Sequence, residues 1–253
     1  MKNAILFSLF LISFFINYNC KKSDENSVPG EYDQKVLVEE FTAEWCGFCG
    51  KAAPKFSEIV DKYQNEALIV AMHYSDILEI KYPATASYFY NYFDVNGIPS
   101  LMVNKKIDDS KDWIVHAESK MGYKSNAGIK IESSFNNNTL NIEVSTRSNK
   151  EMNDVLLSVF LVEDHVPESK PGAQSGGGGN FVHRNVLREI FTEKTGDLIT
   201  LKTDSLITKS FSVNTLKYKL DDLRIMAFLT HNSSKSFEYI NGNTVKAGKN
   251  TGW

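Results

Sequence analysis

Apolar runs and alternating stretches divide the chain into segments of different texture. Residues 4–16 are apolar except for two serines, and Lys2 gives the run a positive flank. The run is too short to span a bilayer comfortably and has the form of a signal-peptide core. Lys21-Lys22-Ser23-Asp24-Glu25 then turns abruptly polar, and residues 23–34, with Pro29-Gly30, read as a tether. Residues 36–41 are β-rich. A helical pattern follows, with Ala52, Ala53, Phe56, Ile59, Val60 and Tyr63 recurring at spacings of three and four. Pro54 lies within it, and a kink is expected there. Residues 67–73 form a second apolar run, the mark of a fully buried strand. Strand, helix and strand make a βαβ unit. Aromatic residues then cluster at Tyr82, Tyr88, Phe89, Tyr90, Tyr92 and Phe93. They predict a helix near 85–93 whose stripe is core, a peptide-holding wall being its other use. Trp113, Ala117, Lys120 and Met121 predict an amphipathic helix within 112–123.

After Gly122 the period changes from helical to alternating. Residues 129–132 and 140–144 alternate strictly and are joined by Asn136-Asn137-Asn138. Further strands are predicted at 155–162, 198–203, 208–213 and 224–230. Residues 237–240 with Asn241-Gly242-Asn243 carry a hairpin-like signal. Short strands without cysteines predict a β-sandwich of immunoglobulin-like type. Between them, residues 167–180 form a long loop with four consecutive glycines, Gly176 to Gly179. No Gly-Lys-Ser/Thr follows, so it is not a phosphate-binding loop. It is expected to be mobile, or to serve as a lid or partner-binding loop. His183, Arg184 and Arg188 could meet an anionic partner or lie in a solvated turn.

Composition narrows the functional classes. The chain has 253 residues, which favours two folded units, and its 42% hydrophobic and 23% charged residues are ordinary for a globular protein. The net charge of −3 offers no basic surface for nucleic acid. Three cysteines are too few for a fold stapled by disulfides.

The chemistry concentrates at Cys46-Gly47-Phe48-Cys49. In a βαβ context a Cys-x-x-Cys reads as a redox motif. The thiolate is the attacking species, and Cys46, at the first turn of the helix, would have its negative charge favoured by free N–H groups and the helix dipole. Cys49 lies one turn on, on the same face, and can attack a mixed disulfide on Cys46 to release the substrate. A zinc site would need two more ligands. Cys20 is remote and the five histidines form no close pair in the sequence, so neither metal nor cofactor is expected. Glu40 shares a strand face with Val36 and Val38, an unusual place for a charge. Buried there, its pKa would rise and it could take the Cys49 proton; on a flared strand it would be solvated. His73 reads more readily as a structural histidine than as a proton shuttle.

Ala43-Glu44-Trp45-Cys46-Gly47, Pro54 in the helix and Gly97-Ile98-Pro99-Ser100-Leu101 together resemble the thioredoxin superfamily. That resemblance implies a cis Pro99 packed on the cysteine pair and backbone pairing of Ile98 with a substrate peptide. It also implies a proton-relay role for Glu40 and makes Trp45 and Phe48, beside the pair, candidates for substrate contact. The lysine that partners the family's buried acid has no clear counterpart, since Met72 falls nearby. The start of the chain resembles a bacterial lipoprotein signal with Cys20 as the lipidated first residue, although Asn17, Tyr18 and Asn19 depart from the usual pattern. Val182-His183-Arg184-Asn185-Val186-Leu187-Arg188 resembles a stretch of the Omp28-related outer-membrane proteins of Bacteroidetes, which join a thioredoxin-like domain to a β-sandwich.

These readings predict a signal peptide over 1–19, a lipidated cysteine and tether over 20–33, an α/β thioredoxin-like domain over 34–123 and an all-β sandwich over 124–253. The function expected is a cell-envelope thiol–disulfide oxidoreductase acting on protein thiols and disulfides, anchored through lipid, with the direction of transfer open. The alternative is a surface-binding or adhesive lipoprotein in which the disulfide is structural. Turnover of a model disulfide discriminates the two. Residues 31–123 are expected to exchange disulfides without the sandwich.

Overall fold

The computed structural model describes residues 32–81, 86–108, 112–233 and 236–253. The expected signal segment, Cys20 and nearly all of the tether lie outside the described residues, as does Tyr82. The first half contains β1 (Tyr32–Asp33), β2 (Leu37–Thr42), α1 (Gly47–Tyr63), β3 (Leu68–His73), α2 (Ala86–Tyr92), β4 (Ser100–Val103), β5 (Lys106–Asp108), α3 (Trp113–Glu118) and β6 (Lys124–Ser125). The second half is built of β7 (Ala127–Asn136), β8 (Thr139–Ser148), β9 (Met152–Glu163), β10 (Val166–Pro167), β11 (Val182–His183), β12 (Val186–Ile190), β13 (Asp197–Leu201), β14 (Ile207–Asn214), β15 (Leu223–Ser233) and β16 (Ser236–Lys246). The molecule is a thioredoxin-like domain followed by a β-sandwich.

β2 and β3 run parallel, and β4 and β5 add antiparallel on the other side of β2. Every residue of β2 and β3 is buried, which explains the apolar run of β3 and makes Glu39 and Glu40 of β2 buried carboxyls. One face packs under α1 and α3 through Val36, Val38, Ile69, Phe56, Ile59 and Trp113. The other face, bearing Leu37, Phe41, Leu68, Val70 and Met72, packs on Phe89 of α2 and on Phe160 and Phe228 of the second half. Each such side chain contributes about 1.5–3 kcal/mol on burial.

The sheet does not stop at β3. β12 pairs parallel to it at Val186 and Ala71, and antiparallel to β9 on its other edge. One nine-stranded sheet therefore runs in the order β16-β15-β9-β12-β3-β2-β4-β5, with β13 also paired to β9. The sandwich closes where β14-β8-β7 packs over β9, β15 and β16, and Ile129, Ile142, Val144, Leu157, Ile225 and Leu229 fill the space between.

The hairpin signal at Asn241-Gly242-Asn243 is corrected: these residues lie inside β16. Asn241 Nδ2 and Asn243 Nδ2 donate to the carbonyl oxygens of Ala127 and Ile129, each at 2.8 Å, tying β16 to β7. A Cβ on Gly242 would stand 2.6 Å from Leu68 Cδ2, so this glycine marks a close approach of β16 to β3.

Candidate redox site

Cys46 is the N-cap of α1, extended at φ −87° and ψ 107°, and its Sγ accepts from the Cys49 N–H at 3.0 Å. A disulfide joins the two cysteines, with the Cα atoms 5.2 Å apart. The Sγ of Cys46 thus occupies the position in which a thiolate meets the first-turn N–H groups, here that of Cys49, which it shares with the Cys46 carbonyl oxygen at 3.1 Å. No acidic side chain stands in the first turn of α1 to oppose that charge. The Ile98–Pro99 peptide bond is cis, and the Ile98 carbonyl oxygen lies 3.7 Å from Cys46 Sγ. Ala43, Cys46, Cys49 and Ile98 pack together.

Around the pair, Trp45 is 53% and Phe48 75% exposed. Trp45 donates from Nε1 to the Tyr74 carbonyl at 3.2 Å. Tyr74 stacks on Tyr90 of α2 at 4.8 Å, and Tyr90 meets Phe41 edge-on. The aromatic stripe of α2 is core at Phe89, and Tyr90 packs on Tyr74 beside Trp45.

Glu40 is buried beneath the pair, so the strand does not flare to solvate it. Burial pushes its carboxyl up to about 8, and its Oε1 has no hydrogen-bond partner. Its neighbour Glu39 points to the opposite face and pairs with Lys105 Nζ at 2.7 Å. A buried lysine is thus present, but it serves the other carboxylate. Glu40 lines a cavity of ≈ 20 Å³ with Cys49, Phe56, His73, Gln174 and His183.

Five residues of that cavity, Gln174 and Phe181 to Arg184, come from the second half, and sequence reasoning did not assign any of them to the redox site. The Gly-rich loop expected to be mobile is seated on the redox helix. Ser175 N donates to the Glu44 carbonyl at 2.7 Å. Gln174 Nε2 donates to the Cys46 carbonyl at 3.2 Å and sits 3.4 Å from that of Ala43. Ser169 donates through both N and Oγ to the Glu44 carboxylate, each at 2.6 Å. Contact is close enough that a Cβ on Gly50 would stand 2.4 Å from the Ser175 carbonyl oxygen. The signal that could have located this contact is the pairing of small residues, Gly47 and Gly50 on one side and Ser175 to Gly177 on the other.

The segment after the loop is likewise corrected. His183 is buried, not part of a solvated turn. Arg184 is paired with Asp164 and Asp61, each at 2.7 Å, and Arg188 with Glu163 at 3.1 Å. The two guanidinium groups, weighed between an anionic partner and a solvated turn, are paired with carboxylates within the chain.

Comparison with known proteins accounts for this architecture. The model of the outer membrane protein Omp28 family matches residues 86–251. The chain belongs to the Omp28 family. A thioredoxin model matches residues 21–122, so the two matches overlap over α2, β4, β5 and α3 of this Omp28-family chain. Among solved structures, HBP35 of Porphyromonas gingivalis superposes with a TM-score of 0.71 at 19% identity, covering 87% of this chain and 77% of that one. A protein of Agrobacterium tumefaciens gives 0.52 at 14% identity, covering 86% and 96%. At these identities the likeness is one of fold. A protein disulfide-isomerase of Datisca glomerata is 38% identical over 68 residues, 26% of this chain. Protein disulfide-isomerase A4 of Rattus norvegicus is 30% identical over 84 residues, 33% of this chain. The chain spans 12% of the length of each of these two relatives.

Proposed function

We propose that this protein is a thiol–disulfide oxidoreductase of the cell envelope that exchanges disulfides with protein substrates through Cys46 and Cys49. The observation that carries this reading is the cysteine pair at the N-terminus of α1, with Cys46 Sγ receiving the Cys49 N–H. In the reduced protein the same N–H stabilises a Cys46 thiolate, which makes Cys46 the nucleophile. Cys49 is 1% exposed and reaches no substrate directly; it resolves the mixed disulfide from within. Trp45, Phe48 and Ile98 form the surface that a substrate meets, and the Ile98 backbone lies next to Cys46 for strand-like pairing with a peptide. Glu40 accepts the Cys49 proton during resolution.

The thioredoxin match and the local likeness to protein disulfide-isomerases support the chemistry, and membership of the Omp28 family supports the envelope location. We place the anchor at a lipidated Cys20. An intact mass of the mature protein should show an acylated Cys20, and Cys20→Ser should release it from the membrane fraction. Cleavage elsewhere, or no acyl mass, would reject the anchor.

Turnover of a model disulfide tests the activity. Wild-type protein should turn it over, Cys46→Ser should not, and Cys49→Ser should accumulate mixed disulfides on Cys46. A protein that never turns over and stays oxidised in strongly reducing glutathione buffer would sink the reading. Structural disulfides typically lie below about −300 mV, and exchanging ones above.

A further inference from the structure

We propose that the Asp76–His73 pair, closed in by His183, takes onward the proton that Glu40 removes from Cys49. This inference rests on the exchange function proposed above and adds two histidines to it.

Chemistry fixes the first partner. The Asp76 carboxylate accepts from Glu44 N–H and Leu78 N–H, each at 2.8 Å, and lies 2.7 Å from His73 Nδ1. Burial works against its charge, but these hydrogen bonds hold Asp76 below its ordinary range. An ionised carboxylate only accepts, so His73 Nδ1 must carry the hydrogen. The free lone pair of a neutral His73 then sits on Nε2, which is buried and has no hydrogen-bond partner. The same arrangement, a carboxylate setting the tautomer of an imidazole base, is what general-base sites use.

Position supplies the second argument. His73 lines the cavity that holds Glu40 and Cys49. His183, carried in from the second half on β11, packs edge-on against His73 at 4.6 Å. Its Nε2 stands 3.5 Å from Glu44 Oε1, beyond a good hydrogen bond. Buried polar atoms without partners normally cost ~1–3 kcal/mol each. Here Glu40 Oε1, His73 Nε2 and His183 Nε2 are three such atoms on residues lining one cavity. Its ≈ 20 Å³ is room for a single water. The charged groups around the imidazoles are Asp76, Glu44, Glu40 and Arg184.

The relay answers a physical problem. Burial favours the protonated form of Glu40, and a protonated carboxyl cannot accept from a thiol. A base that draws the proton off restores the carboxylate. During resolution the Cys49 S–H bond breaks and its proton passes to Glu40. The thiolate attacks Cys46 Sγ, the Cys46–Cys49 bond forms, and the bond from Cys46 to the substrate sulfur breaks. The substrate leaves as a thiolate, reduced by the two electrons that the pair gives up. Glu40 then hands its proton to His73 Nε2. His73 acts through Glu40 and His183 acts by holding the His73 ring, so both are positioning residues.

The test is a stopped-flow reaction of the reduced full chain, carrying Cys20→Ser, with 5,5′-dithiobis(2-nitrobenzoate). The first thionitrobenzoate released reports attack by Cys46, the second reports resolution by Cys49. His73→Gln and His183→Gln should slow the second phase on the order of ten-fold while sparing the first. Added imidazole should restore the His73→Gln rate, which a merely structural defect would not allow. In the wild type the second phase should slow in D₂O, a measurement that requires no variant. Unchanged second phases in both variants, a slow phase that imidazole leaves untouched, or a wild-type second phase indifferent to D₂O would overturn the relay. Absence of both phases in the wild type would instead overturn the exchange reading beneath it.

Discussion

A carboxylate buried without a cation makes its own pH signature. Glu40 has a folded pKa raised by burial from 4.5 to about 8. The folded state therefore holds a proton that the unfolded state has released, and stability falls as pH rises through that window. Fully expressed, the effect is about 5 kcal/mol. His183 works in the opposite sense. Burial, then the neighbouring His73, lowers it below its ordinary 6.5, so its neutral folded form gains stability as pH rises towards 6.5. Below pH 6.5 the two slopes oppose each other, and between 6.5 and 8 Glu40 acts without that compensation. Glu40→Gln should thus flatten the decline between pH 6.5 and 8 and stabilise the oxidised protein at pH 8. Denaturant midpoints across pH check this; equal slopes in variant and wild type would place Glu40 in water. At this scale the sequence was informative where a rule is local. Cys46, Cys49 and Glu40 follow from one strand-to-helix junction, because strand alternation and helix spacing decide which side chains share a face. Gln174 and His183 reach the same cavity from more than a hundred residues away, and no periodicity carries that information. The Lys105–Glu39 pair was missed for the same reason.

At the scale of elements, β3 was legible from an apolar run closed by His73 and α1 from its regular helical spacing, while β2 was legible from its β-rich residues although Glu39 and Glu40 interrupt them. The loop over the redox helix was not, because glycine runs read as freedom when their smallness is serving contact. Gly50 separates the two readings. In the helix interior Ala is favoured over Gly by ~1 kcal/mol, so an open loop would make Gly50→Ala stabilising. With the Ser175 carbonyl oxygen 2.4 Å from the new Cβ, and Gly176 and Gly177 at 2.8 Å, backbone must move instead. Overpacking of this kind costs about 1–3 kcal/mol. Gly50→Ala should therefore destabilise the protein and lift the loop, and reduced Cys49 should alkylate faster than in the wild type. A more stable variant with unchanged alkylation would show that the loop stands clear of the helix. The misread hairpin at Asn241-Gly242-Asn243 has the same origin. Asparagine and glycine favour turns by local hydrogen bonding and left-handed backbone. In β16 the asparagines bond across to β7 and the glycine admits Leu68, so tertiary contact overrides the local preference.

At the scale of the molecule, the change of texture after Gly122 separates two kinds of pattern, and each half has a core of its own, but a third core is shared between them. Leu37, Phe41, Leu68, Val70 and Met72 pack against Phe160, Val162, Leu187, Met226 and Phe228 of the second half. β12 meanwhile covers the edge of β3. Cutting the chain after β6 would strip these side chains from the first half and leave β3 as an open edge beside an apolar face. At about 1.5–3 kcal/mol for each lost side chain, the deficit approaches or exceeds the ~5–15 kcal/mol by which a whole domain is stable. Open apolar edges also invite pairing with other chains. The expectation from texture, that residues 31–123 exchange disulfides without the sandwich, is therefore reversed. That fragment should be insoluble or molten and should lose exchange, and the mature chain should unfold in a single calorimetric transition with its disulfide intact. A soluble, active fragment, or two well-separated transitions in the mature chain, would mean that the shared face contributes little. The single-transition outcome ties function to architecture: the loop over the redox helix and the histidine that lines the Cys49 cavity arrive on the β10–β11 hairpin, which is held between β9 and β12, the strands that extend the thioredoxin sheet.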